Sequence, residues 1–452
     1  MDKIIVTKRR WMLLPVEIKA RELYRNVFLA CIAAELGWGS IIGKKRTVKS
    51  IQNILPHGVY IEKNMAPKRV PNIELAISAG NRVSAWNEEG LLYINKSLYI
   101  ESKLKPQYFN ALDYFFAWGK NEADDIIAAL GYAGDKIVLS GNPRFDLLHR
   151  DLRSIYEPAA AKLRDCYGKM ILINTNFAQV SNSNKSYDCL KVNITKGLIT
   201  TAEQEAVLRR YLAFKRQIFG QFIDMLPVLA EKFRHHTIIV RPHPSEDHGP
   251  WFDKAKVLEN VKVIYEGSAN EWIQASDVLI QNNCTTGVES FLMEKPTISY
   301  RPFKDEAVEY PLVNQTSFQA SDLEELLSLV SRFVDKGTAV SAEERNMQVE
   351  FAHGYIANIE GKLASERIMD TLNSLDLPEA EGYFPIKRTV KERVGQIMKQ
   401  INLRNNHKYK KQKFPGIELA EIERFIEELQ SITGKFKAVN IVEVDENVFC
   451  IY

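Results

Sequence analysis

The chain has 452 residues, 45% hydrophobic and 26% charged, and a formal net charge of only +3. That length exceeds one typical domain, so two or three are expected; the composition supports real cores, and the near-neutral balance excludes a general polyanion binder. Five scattered cysteines without metal-type spacing indicate reduced cytoplasmic thiols, and with no leader-like segment and no apolar run of about 18 residues the chain reads as soluble, or peripheral on a membrane at most.

The apolar patch Trp11–Val16 predicts a strand, and residues 20–36 a helix, with Leu23, Val27, Leu29, Ala30 and Ala33 near helical spacing. Gly37 and Gly39 end it, and Trp38–Gly43 and Gly58–Ile61 read as further strands, the opening of a parallel α/β domain. Glu17, just past the first strand, is a candidate acceptor-side or catalytic carboxylate, and equally a glutamate at the favourable end of a helix dipole. Lys44, Lys45 and Arg46 follow the second strand, either as a solvated face or facing an anionic acceptor. A helix at 72–80 and a strand at 83–86 lead to the turn Glu88-Glu89-Gly90, in which burial or the like-charged neighbour can raise one carboxyl into the range of a general base. A strand at 114–118, a helix at 121–130 and a strand at 136–139 precede Gly141-Asn142-Pro143-Arg144-Phe145-Asp146. There Gly141 permits a tight turn, Pro143 fixes the chain, and Arg144 and Asp146 can pair within the turn or across a cleft.

Residues 150–168 are charged and helical in tendency, the crossing to a second domain, which opens with a strand at 170–174 followed by Asn174-Thr175-Asn176. Residues 178–199 lack periodicity and read as a mobile loop that can cover a substrate. Residues 201–234 read as a helix pair or one helix bent near Gly220, with an apolar face that includes Leu212, Phe214 and Ile218. Then come four short apolar runs, at 237–240, 261–265, 277–280 and 297–300, each bounded by turn chemistry, as buried parallel strands require.

Polar residues gather where these strands end: Arg241, His243 and Ser245; Glu266 and Gly267; Gln281, Asn282 and Asn283, with Cys284-Thr285-Thr286-Gly287 opening a helix. Open α/β sheets bind ligands at the carboxyl ends of their strands, and helix N-termini there offer N–H groups to an anion. The reading is a cleft for a phosphorylated ligand. His243 sits between Pro242 and Pro244, which hold it rigid, and an imidazole can donate to a phosphate oxygen; Arg241 can assist or pair with an acid. Ser268 and Glu271 form a capping box for a helix at 269–276. Helices are expected at 321–334, 342–373 and 417–428, with an apolar end at 436–451 that can dock. The basic run 387–413 suits an anionic lipid surface or acceptor, or simply a solvated helical face; no RNA-binding motif accompanies it, so nucleic acid is not an expected partner.

RPHP at 241–244, the SDVLI strand, the Thr-rich helix start, Glu289, KPTISY at 295–300, GNPRFD at 141–146 and KFPG at 413–416 resemble bacterial surface carbohydrate biosynthesis proteins of the GT-B type. They are also similar to CMP-dependent Kdo transferases and sialyltransferases and to CDP-glycerol glycerophosphotransferases. The resemblance implies an α/β chain with two Rossmann-like domains facing across a cleft: an acceptor-side domain at 1–155, a nucleotide-sugar domain at 166–345, and a helical tail at 346–452 partly returning to the first. It implies that His243 and Pro244, with Thr285 and Thr286, hold the donor phosphate, and that Glu289 holds ribose hydroxyls. Asn174, Asn176, Arg241, Glu266 and Asn283 are further donor contacts by position. Glu88-Glu89-Gly90 matches in form the acidic-acidic-glycine motif of CMP-sialic acid transferases, whose carboxylate is the general base; either Glu88 or Glu89 takes that role here. One departure is Cys284 in the family's Ser/Thr-rich turn, which leaves open which hydroxyl meets phosphate.

The implied activity is transfer of a Kdo- or sialic-acid-like sugar from a CMP-activated donor to a surface glycan or lipid-linked glycan, in the cytoplasm or at the inner face of the cytoplasmic membrane, with no tightly bound cofactor and no catalytic metal. A CDP-polyol phosphotransferase, a UDP-sugar transferase or epimerase, and a noncatalytic glycan- or nucleotide-binding protein are the alternatives. The first of these is disfavoured by its usual need for a catalytic histidine on the first domain, where only His57 and His149 occur.

Overall fold

The computed structural model describes residues 3–93, 96–104, 106–131, 134–385 and 414–452. The chain divides into two compact units, one of Met1–Leu91, Lys96–Leu147 and Ile356–Tyr452, the other of Leu148–Tyr355 with Leu92–Asn95. The basic run 387–413 lies outside the described residues. Among the described residues no helix is long and apolar enough to cross a membrane.

In the first unit, β1 (Lys3–Val16), β2 (Trp38–Lys44), β3 (Val59–Glu62), β4 (Arg82–Trp86), β5 (Phe115–Ala117) and β6 (Ile137–Leu139) run parallel in the order β2-β1-β3-β4-β5-β6. The strand order reverses between β1 and β3, so the ligand-binding crevice of this topology lies beyond their carboxyl ends. Trp11 anchors the sheet and is fully buried. Its backbone and ring leave no room beside them: a Cβ at Gly58 would lie 2.1 Å from the Trp11 carbonyl oxygen, and one at Gly39 2.5 Å from the indole.

The second unit holds β7 (Met170–Asn174), β8 (Thr237–Arg241), β9 (Val261–Val263), β10 (Val278–Gln281), β11 (Thr297–Tyr300) and β12 (Phe318–Ala320) in a parallel sheet ordered β12-β11-β10-β7-β8-β9. This is the doubly wound order built from two βαβαβ halves, and it reverses between β7 and β10. One face is covered by the helix Ala202–Lys232, whose Phe214, Ile218, Phe222, Met225 and Leu229 pack on Ile171, Ile173, Ile238 and Val240. Each such side chain taken out of water contributes about 1.5–3 kcal/mol before entropy is counted. The helix runs unbroken past Gly220, so the alternative of a helix pair is corrected; its start is fixed by a capping box of Thr201 and Gln204.

The chain then returns to the first unit. The helical run expected over 342–373 is two helices, Ala342–Ala352 in the second unit and Ala364–Asn373 in the first, with Gly354 and Gly361 in the break. β13 (Ala380–Pro385) pairs antiparallel with β1, and the hairpin of β14 (Ile441–Asp445) and β15 (Val448–Ile451) adds antiparallel to β2. Asp146 fixes this return. Its buried carboxylate accepts from Asn358 Nδ2 at 2.9 Å and from the backbone N–H groups of Ala364 and Ser365, each at 2.8 Å, at the first turn of the returning helix. Gly141 has φ +78°, and a Cβ there would lie 2.0 Å from Asn358 Oδ1. The GNPRFD turn is therefore a socket for residues more than 200 positions away.

Candidate functional site

The reversal between β7 and β10 sets the site of the second unit. β7 ends at Asn174, which is buried, and neither atom of its amide finds a hydrogen-bond partner among the described residues. A buried amide left unpaired costs on the order of 1–3 kcal/mol, so such a group marks a place for water or ligand. β10 ends at Gln281, whose Oε1 accepts from Cys284 N at 3.1 Å, and the helix Thr285–Leu292 begins there. Among the described residues no side-chain hydrogen bond caps this helix; the Cys284 sulfur accepts from the Thr286 hydroxyl at 3.2 Å, and sulfur is a weak acceptor. Thr285 and Thr286 are half-buried at this positive dipole end. Glu289 is buried one turn further along the same helix.

β8 delivers the His-Pro loop. Glu246 organises it from within: the buried carboxylate accepts from Thr175 Oγ1 at 2.7 Å, Phe177 N at 2.7 Å, His243 N at 3.2 Å and Trp251 Nε1 at 3.2 Å. It thus ties the loop after β7 to the loop after β8. Burial raises its pKa against those donors. His243 and Pro244 are exposed. His243 Nδ1 accepts from Ser245 N at 3.2 Å, which assigns the ring proton to Nε2 in the neutral form. The segment 178–199, expected to be a mobile loop, is pinned here: Ser183 N donates to Ser245 O and Asp247 N to Ser181 O, and Cys189–Thr195 is a helix.

Three expected donor contacts have other work for their side chains. Arg241 donates to the carbonyls of Glu266 at 2.6 Å and Gly267 at 3.1 Å and stacks over Trp272, so it braces the loop after β9. Burial lowers its pKa to about 10, still charged at neutral pH. Asn283, in the left-handed region at φ +52°, donates to Val308 O and accepts from Tyr310 N, tying β10 to the segment beyond β11. Asn176 donates to Asn283 O at 2.7 Å and accepts from Lys215. Glu266 keeps an exposed carboxylate.

Sequence reasoning missed Lys215 and Glu246. Lys215 is fully buried on the helix Ala202–Lys232, its ammonium between Asn176 and the Phe177 ring, and burial lowers its pKa to about 8. The available signal was a lysine three and four residues from Ile218 and Tyr211, on the apolar stripe. For Glu246 the signal was a carboxylate three residues after His243, the one residue of the Pro-His-Pro turn with a backbone N–H to satisfy.

In the first unit, charged groups gather past β1, β3 and β4. Glu17 Oε2 meets Arg69 at 2.8 Å and Lys63 at 3.1 Å; burial raises its pKa, but the two cations outweigh it and hold the carboxyl at about 2. Lys63 also binds Glu22 at 2.6 Å, and Lys45 binds Glu62 at 2.8 Å. Glu88 is buried in a two-point ion pair with Arg25 and also accepts from Trp86 Nε1 at 2.7 Å. Burial alone would raise its pKa; Arg25 brings it well below the usual range, which suits an anchor and makes a poor proton acceptor. Glu89 is exposed and meets Arg21 at 3.1 Å.

Beneath this turn lies Glu122, fully buried, bonded to the Tyr99 hydroxyl and accepting from Trp118 N at 2.8 Å. Burial raises its carboxyl to about 8. A raised folded-state pKa gives stability that is full below the unfolded value of about 4.5 and is lost as pH rises through about 8. Glu122→Gln is therefore expected to gain about 3–4 kcal/mol relative to wild type between pH 5 and pH 8, read as the difference in urea midpoints at the two pH values.

No family model and no curated protein sequence matches the chain. Among solved structures, a Listeria monocytogenes protein assigned as a UDP-N-acetylglucosamine 2-epimerase aligns at TM-score 0.50 and 12% identity, covering 81% of this chain and 96% of that one. The UDP-GlcNAc 2-epimerase of Neisseria meningitidis, solved with UDP-GlcNAc, aligns at TM-score 0.48 and 13% identity over 81% and 100% of the two chains. The wall teichoic acid polymerase TagF aligns at TM-score 0.45 and 11% identity over 80% and 87%. At such identity the likeness is one of fold: this chain is an α/β protein of two Rossmann-like units, the GT-B fold class.

Proposed function

We propose that the protein is a nucleotide-sugar-dependent transferase of surface-glycan synthesis, and that the donor's phosphate sits where β7 and β10 diverge. The observation that carries this is the buried amide of Asn174, without a partner among the described residues, at the reversal point of the doubly wound sheet, beside a strand that feeds a helix start with no side-chain cap among those residues. The backbone N–H groups of Thr285 and Thr286 and the Nε2–H of His243 are the phosphate donors, with Asn174 completing the set. Glu289 and the exposed Glu266 are assigned to the ribose hydroxyls.

In the reaction, the bond from the anomeric carbon to the phosphate oxygen breaks and CMP leaves with the electron pair. The acceptor oxygen bonds to the anomeric carbon and its proton passes to a carboxylate. Donors aimed at the departing phosphate stabilise charge that grows in the transition state. Glu89 is the base in this scheme, because its pair with Arg21 is exposed, whereas Glu88 is buried against Arg25 and Glu17 is held by two cations. No step in it calls for a metal.

The test is calorimetric titration of the full chain with CMP, CDP, UMP, UDP and GMP. CMP is expected to bind tightest, and His243→Ala to weaken it about tenfold, the loss of one charge-assisted hydrogen bond. Glu89→Gln should spare CMP binding and lower transfer by about 10²–10⁴. The named activity of the Listeria neighbour makes uridine nucleotides the competing arm; tighter UMP or UDP binding would move the donor to a UDP-sugar, and binding of none would end the reading.

A further inference from the structure

A cavity of about 390 Å³ lies in the second unit between the segment after β7 and the helix Ala202–Lys232. At about 30 Å³ per molecule it holds roughly a dozen waters, the bulk of one or two sugar rings. Its walls are fixed. The segment is held to the His-Pro loop by the Ser183–Ser245 and Ser181–Asp247 backbone bonds and by the Lys185–Asp247 ion pair. Its own turns are closed by the side chains of Asn182 and Asn184, each accepting from the backbone N–H two residues on. On the opposite wall Leu212 and Arg216 stand one helical turn apart, on one face.

The chemistry of the lining is specific. Lys185 and Asp247 cancel each other, and Arg216 balances Asp188, which also caps the helix Cys189–Thr195. The net charge is zero. Gln179 offers a buried Oε1 with no hydrogen-bond partner among the described residues, and Arg216 makes no ion pair among them. Donors and acceptors stand together over the small apolar floor of Val180 and Leu212. Sugar hydroxyls both donate and accept, and carry a modest apolar ring face, so they satisfy such a lining. A lone phosphate would face the carboxylates of Asp188 and Asp247.

We propose that this cavity is a carbohydrate subsite that takes an uncharged, polyhydroxylated ring of the glycan. It shares the His-Pro loop with the proposed phosphate site through Ser181 and Asp247. It deepens the transferase reading, and rests on it only for the source of the sugar.

The experiment is saturation-transfer NMR on the full chain with N-acetylglucosamine, cellobiose and glucuronate, beside the nucleotide titration above. Transfer to the neutral sugars is expected, and Arg216→Ala and Gln179→Leu should each weaken it about tenfold, one lost hydrogen bond to a charged or buried partner. Nucleotide affinity should stay within about twofold in both variants. No transfer to any sugar, transfer to glucuronate alone, or transfer undiminished in both variants would overturn the subsite. Sugar binding that persists when no nucleotide binds would support the subsite and end the transferase reading alone. Cellobiose competing with an intact nucleotide-sugar marks the ring as the donor's; simultaneous binding marks it as the acceptor's, and either supports the subsite.

Discussion

Asp146→Ala is expected to destabilise the protein by about 3–5 kcal/mol, one of the two largest single-residue effects foreseen here. The carboxylate is fully buried and holds three donors at once: the Asn358 amide and the Ala364 and Ser365 backbone N–H groups. Two of these are first-turn groups of a helix, which have no partner inside the helix itself. An N-cap deletion at a surface costs about 1 kcal/mol because water replaces the cap. In this buried turn water has poor access, so each orphaned donor bears more of its desolvation cost. Burial raises the Asp146 carboxyl to about 6, so at pH 7 it is ionised, the state that accepts all three bonds. Asp146→Asn should fall between the two, since one oxygen survives but the new NH₂ faces N–H donors. Urea unfolding at pH 7 reads both. A loss below about 1 kcal/mol for alanine would mean that the returning helix holds its place through packing alone.

The same residue shows how far the sequence could be read. GNPRFD stood out as turn chemistry, and the local alternatives for Asp146 were a pair with Arg144 or a contact across a cleft. Its actual partners lie 212 to 219 positions away. Periodicity reports the environment of a strand or helix, and so β7, β8, β10 and β11 could be placed to within a residue or so at each end. It does not report which strand lies beside which. β14 and β15 join β2 across some 400 residues, and IVEVD carries charge on its exposed side, so only a docking end was visible. β12 and β13 are short or edge strands and gave no signal strong enough to place.

At the candidate site the split is similar. Residue types that favour phosphate could be recognised at the ends of β7, β8 and β10, because strand ends are local features. Whether a given amide faces a ligand or braces a loop depends on partners from elsewhere. Asn176 and Asn283 are spent on Lys215, Val308 and Tyr310, while Asn174, of the same type and on the same stretch, is left without a partner. Lys215 was hidden by its helix, whose spacing marks a buried face but cannot say that a charge on it has a counterpart.

Arg25→Met is expected to cost about 3–5 kcal/mol, because it leaves the Glu88 carboxylate buried without its cation. Both side chains are about 3% exposed, and the guanidinium reaches both carboxylate oxygens, lies within 3.3 Å of Asn142 Oδ1 and stacks over Trp86. The intact pair itself stabilises little, since desolvating two ions offsets most of their attraction. Arg25→Met/Glu88→Gln should therefore recover at least about half of the loss: glutamine keeps an acceptor for Trp86 Nε1 and carries no charge. The pH dependence distinguishes this account from lost packing. In wild type Arg25 holds the Glu88 pKa down, so the pair's contribution is present above the unfolded value of about 4.5 and is lost as pH falls below it. In Arg25→Met the unpaired carboxyl is raised instead, so its penalty shrinks as pH falls from 7 towards 5 while a packing defect stays constant. Glu88→Gln alone separates anchor from base: if it stops transfer while the urea midpoint holds, Glu88 touches the acceptor; if it shifts the midpoint and leaves transfer per folded molecule unchanged, the charge that matters for chemistry in this turn belongs to Glu89.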